Sequence, residues 1–78
     1  MMDIYAEIRL LAAALAKNGL TTESDEILGA LQEGSTATEM LMIARHRIRM
    51  LKNRRIVGDL DILRRSKLII DEINQVCG

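Results

Sequence analysis

Apolar side chains recur along this chain at spacings of three and four residues, the period of one face of an α-helix. Ile4, Ile8, Leu11 and Leu15 predict a first helix over residues 4–18. Asp3 is placed to cap its start, and Gly19 to supply the left-handed residue beyond its end. A second helix is predicted over 23–33. Ile27, Leu28 and Leu31 face inward, and Gly29 and Ala30 leave room for a neighbour. Thr22 is its cap, and Glu23, Asp25 and Glu26 oppose the positive end of its dipole. Gly34 ends it.

The third helix, over 37–53, starts at Thr36 and Glu39, which have the spacing of a capping box. Leu41, Ala44, Ile48 and Leu51 form its main stripe. The fourth, over 60–76, follows Gly58 with Asp59 as cap. Ile62, Ser66, Ile69, Ile73 and Val76 line one stripe, flanked by Leu63, Ile70 and Cys77. Short connections favour antiparallel neighbours, so the expected fold is all-α, a compact four-helix bundle (up-down or orthogonal) in a small single domain.

Composition agrees with the pattern. Of 78 residues, 11 are leucine, 10 isoleucine and 8 alanine, against two valines and no proline. Strand-rich chains use more valine, threonine and aromatics. Tyr5 is the one aromatic residue and Cys77 the one cysteine, which excludes a disulfide scaffold. No apolar run approaches the ~20 residues that span a bilayer. The expectation is therefore a cytoplasmic protein with no membrane partner.

The apolar pattern has a surplus. In the first helix Leu10, Ala6, Ala13 and Ala14 lie opposite the Ile4–Leu15 stripe, and a helix apolar all round is normally buried all round. In the third, Ile43 and Met50 form a second stripe and Met42 lies off both. Leu68 stands among Arg64, Arg65, Asp71 and Glu72. A domain this small has little interior in which to surround a whole helix. The surplus predicts a surface shared with a partner, built from Leu10, Met42, Ile43, Arg47 and Met50.

Charge is balanced in total and divided along the chain. Residues 1–39 hold seven acids and two bases, a net of −5; residues 40–78 hold nine bases and four acids, a net of +5. Three readings compete. The charges pair within the chain, as the spacing of Asp61 with Arg65 and Lys67 with Asp71 allows. They steer a protein partner or match the two halves of neighbouring subunits. Or Arg45, Arg49, Lys52, Arg54 and Arg55 bind nucleic acid phosphates. Neutral total charge and the scarcity of aromatics weigh against the third. Ala30 and Gly34 have helix-turn-helix spacing, but Ala37, Thr38, Glu39 and Met40, where a recognition helix would begin, include an acid and no base.

Catalytic chemistry finds little to work with. His46 has no carboxylate at helical spacing, and Cys77 has no activating base. Calcium-loop, di-iron, phosphate-loop and nucleophile-elbow patterns are absent. No metal, cofactor or small-molecule substrate is expected, and the chain reads as no enzyme. The expected function is a non-enzymatic helical protein–protein interaction module of regulatory, adaptor, inhibitor or immunity type. It would bind another protein and form a homodimer, with nucleic-acid binding as the alternative.

Overall fold

The computed structural model describes residues 2–53 and 59–77. Four helices occupy them: α1 (Ile4–Lys17), α2 (Thr21–Glu33), α3 (Ala37–Asn53) and α4 (Leu60–Cys77). Each packs against its two neighbours in a closed ring, α1 on α2 and α4, and α3 on α2 and α4. The diagonal pairs scarcely touch. The result is an all-α bundle of 30 × 22 × 21 Å.

Local chemistry sets the helix ends. The Asp3 carboxylate accepts the Ala6 N–H at 3.2 Å and caps α1. At the other end Gly19 adopts φ +81°, Leu20 N–H donates to the Leu15 carbonyl at 2.9 Å, and Gly19 N–H donates to Ala16 at 3.0 Å. These are the two bonds of a Schellman motif. The motif has a consequence for α2. The Leu20 carbonyl accepts the Ser24 N–H at 2.9 Å, so α2 starts at Thr21, two residues before the position read from the sequence. Thr22 lies in the first turn and caps nothing.

The α3 start forms as its pattern predicts. The Thr36 hydroxyl accepts the Glu39 N–H at 3.1 Å. The Glu39 carboxylate reaches back one residue further than a standard capping box, to the Ser35 N–H at 3.2 Å. Gly34 is needed here for space. Its backbone is extended (φ −78°), but a Cβ added to it would lie 2.5 Å from the Met40 backbone nitrogen.

Among the described residues, fifteen apolar side chains fill one core, including Ile8, Leu11, Leu15, Ile27, Ala30, Ala44, Ile48, Ile69 and Ile73. Two serines are buried with them. The Ser24 hydroxyl donates across to the Ala12 carbonyl of α1 at 2.7 Å, and Ser66 donates to the Ile62 carbonyl one turn back at 2.7 Å. Both hydroxyls are thereby satisfied.

Two inward assignments are corrected. Leu28 is 37% exposed, because Ser24, Ile27 and Ala30 aim α2 at the core and Leu28 sits about 100° round from Ile27. Val76 is 62% exposed; the α4 stripe ends at Ile73, one turn before the helix does. The total accessible surface is 4879 Å², about the ~4,800 Å² usual for a folded monomer of 8.8 kDa. The surplus read from the pattern is of apolar side chains, and it lies in where those side chains stand.

Candidate protein-docking surface

Large apolar residues left exposed are Leu10 on α1, Leu28 on α2, Met42 and Met50 on α3, and Leu60, Leu68 and Val76 on α4. Single exposed residues of this kind are ordinary. Met42 and Met50 differ because exposed His46, four residues from each, links them along the outer side of α3. They are two helical turns apart with exposed His46 between them, and exposed Arg49 beside Met50. Methionine side chains are flexible and polarisable, which suits them to variable partner shapes.

The ring places α1 and α3 across from one another, so the outward faces of the two helices do not merge. Leu10 is therefore separated from the α3 stripe, with Arg9, Ala13 and Lys17 around it. Ile43 is half-buried and packs against the core. Of the five residues read as one contact surface, Met42 and Met50 are exposed on α3, Ile43 is on the same helix but half-buried, and Leu10 stands apart on α1.

Arg47, the fifth, is held by its own chain. Its guanidinium donates to the Glu26 carbonyl at 2.8 Å and pairs with the Glu33 carboxylate at 2.6 Å. It lies over Gly29, where a Cβ would come within 3.2 Å of the Arg47 guanidinium. The neighbour for which the helical glycine makes room is this side chain. Arg47 holds the Glu33 carboxyl below the usual carboxylate range, by hydrogen bond first and charge second.

Other bases are also engaged internally. Arg65 bonds Asp61 at 2.9 Å and reaches Glu7 of α1 at 3.6 Å; Arg64 bonds Asp61 at 2.7 Å. Those two arginines lower the Asp61 carboxyl, Arg65 the more strongly. The expected Asp61–Arg65 pair therefore forms. Among the described residues, no ion pair joins Lys67 to Asp71. Glu7 and Glu33 from the acidic half neutralise Arg65 and Arg47 from the basic half, so part of the division in sequence closes within the fold.

Of the nucleic-acid candidates, Arg45 donates to the Asn74 side chain of α4 at 2.6 Å. Arg49 and Lys52 are exposed, and among the described residues no carboxylate pairs with either. Arg54 and Arg55 lie outside the described residues. His46 is exposed and Cys77 half-buried at the end of α4.

Sequence reasoning missed an open apolar groove of about 340 Å³ at one end of the bundle. Met2, Ile4 and Tyr5 from α1 and its approach, Leu41 from α3 and Val76 from α4 line it, with Asp3 and Glu72 at its polar edge. No spacing in the sequence pointed to it. Among the described residues no three His, Cys, Asp or Glu side chains gather to hold a metal, and no helix is long and apolar enough to cross a membrane. No protein-family model, curated protein or solved structure matches the chain.

Proposed function

We propose that this protein is a non-enzymatic helical module that binds another protein through the outer face of α3. The observation that carries the reading is the exposed row Met42–His46–Met50, with Arg49 beside it lacking a carboxylate partner among the described residues. Two flexible apolar side chains supply contact area, and the exposed cation beside them supplies orientation. The core is complete without them, so the stripe is available for contact without loss of packing. Self-association through α1 and α3 together has less support, since the two faces point apart.

A photo-crosslinking residue placed at His46, compared with one at Leu28, tests the proposal in cells that express the protein. Crosslinks to a discrete protein from position 46 and not from 28 are expected. Equal labelling from both positions contradicts an α3 docking face.

A further inference from the structure

The chemistry of the partner follows from what borders the two methionines, and it rests on the reading of α3 as the docking face. Arg45, Arg49 and Lys52 fall on one flank of α3 at spacings of four and three. The Arg45–Asn74 bond of 2.6 Å marks that flank as the one beside α4. Lys67, exposed and seven residues before Asn74, falls on the matching flank of α4. Among the described residues, Arg49, Lys52 and Lys67 have no carboxylate partner, while Glu33 and Asp61 are held by Arg47, Arg64 and Arg65. The acids bordering the surface are Glu39, whose carboxylate accepts the Ser35 N–H, and Asp71, one turn beyond Lys67.

We infer that this surface receives an acidic amphipathic helix of another protein. Its apolar residues cover Met42 and Met50, and its carboxylates run along Arg49, Lys52 and Lys67. A helix laid in such a position presents one apolar stripe with a charged edge, which is what α3 and its α4 flank complement. A nucleic acid strand would use the cations and leave both methionines idle. It would also find no aromatic platform there, since Tyr5 lies at the groove. The outer faces of α1 and α2 offer no such complement. The α1 face carries Arg9 and Lys17, and the α2 stripe of Thr21, Asp25, Leu28 and Gln32 has a single carboxylate.

The test is a selection of displayed helical peptides, about 20 residues long, on the folded protein, followed by affinity measurement on variants of confirmed helicity. Recovered peptides are expected to carry an apolar stripe flanked by Asp and Glu. Arg49→Glu with Lys67→Glu should weaken them about tenfold or more, as should Met42→Ser with Met50→Ser. A Lys-for-Glu version of the peptide should regain binding to the charge-reversed variant.

Neutral or basic peptides that still depend on the methionines would leave the docking face standing and overturn the acidic partner. Peptides indifferent to both double variants would overturn both. Binding of mixed-sequence RNA at about 50 mM salt, lost in Arg49→Glu, would put nucleic acid on this surface instead. A micromolar dimer lost with the methionines would make a second copy the occupant.

Discussion

Single residues show how closely function-like and structural roles resemble each other in a sequence. Arg47 belongs to the densest basic stretch, yet the fold uses it to tie α3 to the Glu26 carbonyl and Glu33 of α2. Arg49, two positions on, has no carboxylate partner among the described residues. Spacing along α3 separates the two flanks, but only the position of α2 reveals which flank is occupied. Arg47→Ala should therefore lower stability and return the Glu33 carboxyl to its usual range, as read by carboxyl NMR titration. The sign is that of a depressed acid. The pair contributes fully above about pH 4.3, the usual glutamate value, and its contribution fades as pH falls through the lowered folded value. Asp61 behaves likewise through Arg65 and Arg64, so both pairs weaken together under acid.

Gly29 is coupled to the same contact. Alanine in a helix interior is worth about 1 kcal/mol over glycine, but here a Cβ crowds the guanidinium. Gly29→Ala should stabilise the Arg47→Ala background by about that amount and the unaltered chain by clearly less. A urea double-mutant cycle reads the difference.

At the scale of elements, the helices were legible because they are amphipathic, and α1 and α3 because they also have side-chain caps. Ile4, Ile8, Leu11 and Leu15 are buried as their spacing implies, and Thr36 with Glu39 forms the predicted α3 cap. The start of α2 was not legible, because a Schellman motif lets Leu20 close one helix and open the next without a capping side chain. The two glycines at helix ends also act by different physics that the sequence does not distinguish. Gly19 needs its left-handed backbone and has open space around it; Gly34 has ordinary φ and no space at all. Gly19→Ala should cost about 1–2 kcal/mol. Gly34→Ala forces the α2–α3 connection away from Met40 and should cost about 1–3 kcal/mol. Gly34→Ala should also disturb the amide signals of the α3 first turn, whereas Gly19→Ala should leave them in place.

For the whole molecule, ring closure decides which exposed residues act together. Apolar content alone suggested that α1 and α3 share a face. Packed across from one another, they do not, and the candidate site shrinks from five residues on two helices to two methionines on α3 with a cationic border on α3 and α4. The groove at the bundle end was invisible for the same reason, since it exists only where the ends of three helices meet. Burial also separates fold from surface. Ile48→Ala, in the core, should cost about 2–5 kcal/mol, while changes at Met42 and Met50 should be nearly neutral to stability.

The most direct measurement is a paired urea-unfolding and binding experiment on Met42→Ser with Met50→Ser, using the peptide selected on the unaltered chain. An unchanged unfolding midpoint with binding weakened about tenfold or more is the predicted result. A fall in midpoint on the scale of Ile48→Ala, or undiminished binding, would show that these methionines serve the core or nothing at all, and the α3 docking face would be withdrawn.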